Sequence, residues 1–403
     1  MSPSLDVARL RADTPGSTQV AHLNNAGSAL PPDAVLDAVI AHLRLEASIG
    51  GYEAYTAQAD RIEAARASAA TLLGTRSDNV AFVESATSAW MRGLQAIVNS
   101  RPLRPGDRLL VSTAEYGSSV IPLMQLVRTT GARLEFVPDG PDGSLDVDAL
   151  AAMLDDDVAL VSVAHCPAQN GVVNDVSAVG AVLSSHPAWY LVDACQSAGQ
   201  LPVDVTAIGA DFVSVSGRKY LRGPRGTGLL AVSDAALDRL EPFPLDMAGA
   251  TWCSRGYSVA PSARRYEYWE KSFAGVLGLG AGVDYALECG IDAISARVRG
   301  LATRLRKALA EVRGVRVLDR GDVRSGIVTF VHSRVSTADL IAAIRAADIN
   351  VGPTSPIDAL QDFETYGTDA CNAPQPRVRV SPHAYNTEAE LDRLVDVVDS
   401  VTR

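Results

Sequence analysis

The stretch Ser214-Val215-Ser216-Gly217-Arg218-Lys219-Tyr220-Leu221-Arg222-Gly223-Pro224-Arg225-Gly226-Thr227-Gly228 decides how this chain is read. It follows Asp211-Phe212-Val213, sets one lysine among small and basic residues, and ends on glycines that open a second apolar run, Leu229-Leu230-Ala231-Val232. Upstream, Leu191-Val192-Asp193-Ala194-Cys195-Gln196 is another apolar run that leads into an aspartate. Lys219 and Asp193 therefore both stand just beyond strand-like segments. In an α/β sheet that is where ligands collect.

The pattern continues on either side. Short β-branched runs at 80–83, 108–112, 134–137, 159–163, 190–192, 212–215 and 228–232 read as strands, with amphipathic stretches at 86–98, 120–129 and 146–154 between them. Strands alternating with helices imply crossover units and a mostly parallel central sheet in an α/β domain. The polar motifs fall at the strand ends: Glu84-Ser85-Ala86-Thr87, Glu115-Tyr116, His165 through Gly171, Asp193 through Gln196, and Ser216 through Lys219. One long helix over about 281–312 is expected to lead into a smaller C-terminal α+β domain. The expected division is an N-terminal segment 1–35, a large domain 36–280 and a small domain 281–403. Residues 350–376, rich in proline, read as a long surface loop.

Length and composition bound the function. The 403 residues suffice for a large core plus a smaller one, and 47% hydrophobic with 21% charged residues is ordinary for a globular protein. A net charge of −11 opposes general attraction to nucleic acid or anionic lipid, and no apolar run is long enough to span a bilayer. The N-terminal residues lack the features of an export signal. The five cysteines, Cys166, Cys195, Cys253, Cys289 and Cys371, have no C-x-x-C spacing. That suits a reducing cytoplasm and no bound metal.

A lysine able to form a Schiff base and an aspartate able to hold a pyridinium proton are what pyridoxal phosphate requires. Lys219 would form that bond and then move protons at Cα, while Asp193 keeps the ring nitrogen charged so that it accepts electron density. Gln196 is in reach of the cofactor's phenolic oxygen. Ala86 and Thr87, at a strand-to-helix junction, form a phosphate seat of free N–H groups, unless Thr87 is a plain helix cap. Ser216 and Arg218, at alternate positions before Lys219, add a hydroxyl and a guanidinium to the same phosphate. Tyr116 is the candidate to stack on the ring. In Arg377-Val378-Arg379-Val380-Ser381 either arginine could clamp a substrate carboxylate, since alternation puts both on one strand face.

Taken together, Ala86-Thr87, Glu115-Tyr116, Asp193-x-x-Gln196, Ser216-x-Arg218-Lys219, Gly226-x-Gly228 and Arg379-x-Ser381 resemble, in order, the motifs of the class V aminotransferase family of fold-type I pyridoxal phosphate enzymes. The resemblance runs from about Leu23 to Val401. It implies the roles given above for Lys219, Asp193, Gln196, Ser216, Arg218, Thr87 and Tyr116, selects Arg379 as the carboxylate clamp, and implies a homodimer with active sites at the subunit interface. Asn25-Ala26-Gly27 resembles the family's substrate-proximal entry segment, and Gly50-Gly51-Tyr52 resembles a ligand-approaching loop of the epimerase-like and sulfoxide-lyase branch.

The departures narrow the reaction. Residues 351–356 hold no cysteine where a desulfurase carries its nucleophile, and Cys371 reads as incidental. Ala168 stands where many relatives place an asparagine, with Gln169 or Asn170 as substitutes. The expected activity is a carbon–sulfur β-lyase on an S-substituted L-cysteine or its sulfoxide, giving aminoacrylate and then pyruvate. The alternative is an aminotransferase or amino-acid epimerase of a biosynthetic pathway.

Overall fold

The computed structural model describes residues 5–366 and 375–402. Seven strands build the main sheet: β1 (Val80–Val83), β2 (Arg108–Ser112), β3 (Arg133–Val137), β4 (Val158–Ala164), β5 (Trp189–Asp193), β6 (Phe212–Ser216) and β7 (Gly228–Val232). Their spatial order is β1-β7-β6-β5-β4-β2-β3, and only β7 runs antiparallel to its neighbours. The mostly parallel α/β sheet expected from the alternation is therefore present. β4, Val-Ala-Leu-Val-Ser-Val-Ala, is buried along its whole length because helices cover both faces. Each fully buried Val or Leu in it contributes about 1.5–3 kcal/mol, so a charge at Val161 would break the centre of the sheet.

Two helices start at the carboxyl ends of these strands. α1 (Ala86–Ser100) buries Trp90, Leu94 and Ile97 against the sheet, and α2 (Gly117–Thr130) follows β2. The expected single helix over 281–312 is instead two, α3 (Phe273–Cys289) and α4 (Ile291–Ala310), meeting at 82°. Gly290 makes the break: its φ of 80° lies in the left-handed region, and its N–H caps the carbonyls of Ala286 and Leu287. Among the described residues no single helix is long and apolar enough to cross a membrane.

A second, antiparallel sheet has the order β8 (Val315–Val317), β9 (Val328–His332), β11 (Arg377–Val380) and β10 (Gly352–Thr354). Its core is continuous with α4 and with the helices Thr337–Ala346 and Glu388–Thr402. The N-terminal segment is tied to this side: Ala21–His22 pairs in parallel with Ile349–Asn350, and Asn24 bridges to Ser381. Residues 350–376 are not the plain surface loop that their prolines suggested. They hold β10 and the helix Leu360–Thr365, whose Asp362 and Phe363 are buried. Cys371 lies outside the described residues.

Candidate active site

The strand ends surround one cavity of about 170 Å³, and all eight residues expected to hold the cofactor line it: Ala86, Thr87, Tyr116, Asp193, Gln196, Ser216, Arg218 and Lys219. Asp193 ends β5, in register with Ala164 on β4 and Ser214 on β6. Its carboxylate accepts the N–H of Cys195 at 2.7 Å, which fixes its orientation. Lys219 lies in the turn after β6, a turn closed by Gly217 N–H to Thr227 O (3.0 Å) and Gly223 N–H to Gly217 O (2.8 Å). Among the described residues its ammonium makes no hydrogen bond or ion pair. It is an amine at the pocket wall with no partner among the described residues.

The phosphate seat is assembled from two elements. Ser85, not Thr87, caps α1, accepting Ser88 N–H at 3.1 Å. That leaves the Thr87 hydroxyl and the first helical N–H groups free toward the pocket. Gly228 lets β7 come this close: a Cβ there would stand 2.8 Å from the Ser85 carbonyl carbon and 2.7 Å from Val215 O. Arg218, which donates to Gly27 O, has its guanidinium pKa lowered by burial and then by Arg225. A bound anion would relieve both.

Several buried polar atoms here lack partners among the described residues. Gln196 donates to Ala26 O at 3.0 Å while its Oε1 has none, and Ser214 Oγ and Gln169 Oε1 are likewise unpartnered. Each such group costs about 1–3 kcal/mol if it stays unmatched. A cavity with orphaned donors and acceptors, a free lysine and an open helix N-terminus fits a phosphorylated polar cofactor. Ser214 was missed in the sequence, although its alternation with Ser216 on one strand was the available signal. Between the two amides left open at Ala168, Gln169 enters the pocket, whereas Asn170 binds Asp362 at 2.9 Å.

The two arginines of β11 separate cleanly. Arg377 is 1% exposed and donates to Asp362 and to Gln169 O, both at 3.0 Å. Arg379 has no ion pair among the described residues, only long contacts to Ala168 O (3.4 Å) and Asn24 Oδ1 (3.5 Å), and its Nε is unpartnered. Burial lowers its pKa, with Asp358 opposing. It is the uncommitted guanidinium.

Two expected substrate residues lie elsewhere. Asn25 is turned inward, its amide donating to Ser381 O at 2.8 Å and accepting from Tyr385 at 2.5 Å, so it stitches the N-terminal segment to the C-terminal side. Asn24 is the amide beside Arg379. Tyr52, 74% exposed on the helix Gly51–Ala57, lines a different groove with Met247 and Trp269. Tyr116 is 38% exposed at the start of α2, and its pKa is raised by burial and then by Asp358.

The family description "Aminotransferase class-V" matches residues 21–394. A cysteine desulfurase of Salmonella newport (strain SL254) is 30% identical over 404 residues, covering 96% of each chain. Among solved structures, an apo cysteine desulfurase from Thermococcus onnurineus NA1 superposes with a TM-score of 0.89 at 25% identity, over 99% of this chain and 98% of that one. The cystine C–S lyase C-DES, solved with its product cysteine persulfide, shares the fold at 19% identity, with a TM-score of 0.83 over 96% of this chain and 99% of its own. With the strand-end motifs, the sheet and the family match in agreement, the chain belongs to the class V aminotransferase family of fold-type I pyridoxal phosphate enzymes.

Proposed function

We propose that this enzyme cleaves the carbon–sulfur bond of an S-substituted L-cysteine, or of its sulfoxide, by β-elimination. Pyridoxal phosphate, when bound, supplies the electron sink for a Cα carbanion. In this reading Asp193 holds the ring-nitrogen proton, Tyr116 covers the ring, and Gln196 serves the phenolic oxygen. Ala86, Thr87, Ser216 and Arg218 bind the phosphate. Arg379 takes the substrate carboxylate through its uncommitted guanidinium, which orients Cα toward Lys219. Lys219 takes the Cα proton, the C–S electron pair leaves on sulfur, and released aminoacrylate hydrolyses to pyruvate and ammonia.

The observation that favours elimination over sulfur transfer to a protein thiol is the state of the thiols at the pocket. Cys166 and Cys195 both line it, and burial pushes Cys166 up to about 12 and Cys195 higher still. Burial thus disfavours the thiolate, the nucleophilic form, at both thiols. The likeness to a cysteine desulfurase at 30% identity favours a second reading, in which a cysteine outside the described residues receives the sulfur. The products separate the two, since elimination yields pyruvate and ammonia whereas desulfuration yields alanine and a persulfide. Transamination or epimerisation would show instead as a pyridoxamine form, or as solvent deuterium at Cα without loss of sulfur.

The enzyme is further proposed to work as a cytoplasmic homodimer. Tyr52, Met247 and Trp269 around one groove of about 420 Å³ are exposed aromatic and thioether surface of the kind that a second copy covers. Free thiols at Cys166, Cys195, Cys253 and Cys289 suit a reducing compartment. Sedimentation at micromolar concentration that gave a monomer would remove the dimer.

A further inference from the structure

Beneath the pocket lies a carboxyl group that none of these steps uses. Glu115, between β2 and α2, is 1% exposed. Ser112 Oγ donates to its Oε2 at 2.9 Å and Ser162 Oγ to its Oε1 at 3.1 Å. Neither hydroxyl can turn away, because each accepts an N–H on its other side. Trp90 Nε1 reaches Ser162 Oγ at 3.2 Å, and Ala164 N reaches Ser112 Oγ at 3.3 Å. Two aligned donors favour the carboxylate, whereas burial and a neighbouring like charge favour the acid.

That like charge is Asp193, which stands in register with Ala164, the residue whose N–H orients Ser112. Tyr190, on the same strand as Asp193, lies within the field of Glu115, but its hydroxyl donates to Val176 O at 3.0 Å and burial keeps it neutral. Burial, then Asp193, push Glu115 up to about 7 against the two serines. It is balanced between its two forms.

We propose that Glu115 is a positioning residue that acts on the cofactor's ring nitrogen through Asp193. Uncharged, it leaves the ring nitrogen to Asp193 without a second carboxylate charge behind it. Ionised, it adds a second negative charge and holds a cationic ring more tightly. The inference rests on the pyridoxal phosphate reading of this pocket. A pyridinium ion at Asp193 draws the proton off Glu115 into solvent, so binding and ionisation are linked.

The test is the dissociation constant of pyridoxal 5'-phosphate for the apo protein at pH 6, 7 and 8, read from its absorbance, in the wild type and in Glu115→Gln. Glutamine keeps the shape and an acceptor for a serine, but cannot ionise. Protonation of the free cofactor is common to both proteins and cancels in their ratio. The ratio of wild-type to variant affinity is expected to rise about fivefold from pH 6 to pH 8, what one unit of coupling produces across that window for a group that titrates at about 7. A flat ratio overturns the proposal.

Should Glu115→Gln fail to fold, Ser162→Ala serves. Losing one donor moves the inflection of the wild-type profile to higher pH, and an unmoved inflection overturns the proposal equally. Wild-type protein that binds no pyridoxal phosphate at any pH sinks the functional reading and this proposal together. Binding with a flat ratio sinks the proposal alone.

Discussion

Exchanging each arginine of β11 for methionine, in turn, separates a structural from a functional cation on one strand face. Arg377 is 1% exposed, and its Nη1 contacts a buried carboxylate, Asp362, at 3.0 Å. Removing it leaves Asp362 with Arg320 and Asn170 as remaining partners. A broken buried pair costs about 3–5 kcal/mol, and because Arg320 remains the loss should sit near the lower end, about 3 kcal/mol. Arg379 has no such partner among the described residues, only contacts at 3.4 and 3.5 Å. Arg379→Met removes a half-satisfied buried charge and keeps most of the volume, so stability should change by less than about 1 kcal/mol.

Binding should show the reverse. Losing a desolvated charge partner for a substrate carboxylate costs about 2–5 kcal/mol, a rise in KM of at least about 30-fold. Urea unfolding of both variants, with pyruvate release measured against substrate concentration, reads the two effects. The reasoning fails if Arg379→Met unfolds as readily as Arg377→Met, or if its KM is unchanged.

Three further outcomes follow from particular residues. Burial holds His165 at about 4, below its ordinary 6.5, so the neutral ring is favoured in the fold. Its contribution is complete above pH 6.5 and is lost as pH falls toward 4, about 3 kcal/mol in all. His165→Gln should flatten that limb of a stability–pH profile. Gly228→Ala forces a Cβ to within 2.8 Å of the Ser85 carbonyl carbon. Displacing the start of α1 should weaken retention of pyridoxal phosphate, measured by dialysis, more than it lowers the melting temperature. Cys371→Ser should leave pyruvate formation unchanged, whereas loss of activity with accumulation of alanine in the wild type would favour sulfur transfer to that thiol.

Much of this was legible in the residues themselves. Strands such as β4 and β5 are short apolar runs closed by polar punctuation, and the residues just past them had to stand at the sheet's carboxyl edge. That logic brought Asp193, Gln196, Ser216 and Lys219 into one cavity. Side-chain direction was not legible. Asn25 and Asn24 are neighbours, and only the bridge from Asn24 to Ser381 decides which amide turns inward. Arg377 and Arg379 share a strand face, and the carboxylate that occupies one of them comes from Asp362, in a segment that reads as loop. Glu115 stands in the strand-end pair Glu115-Tyr116, but its significance needs Ser162 from one strand and Asp193 from another. Tyr52 faces a groove away from the described pocket, and its expected role depends on a second copy of the chain.

The central claim is tested most directly by mixing purified protein, loaded with pyridoxal phosphate, with a small panel of S-substituted cysteines and their sulfoxides while following pyruvate and the cofactor's absorbance. The account predicts pyruvate from at least one of them and none from Lys219→Ala, in which the Schiff-base absorbance is also lost. A pyridoxamine spectrum without pyruvate, or alanine in its place, would contradict it.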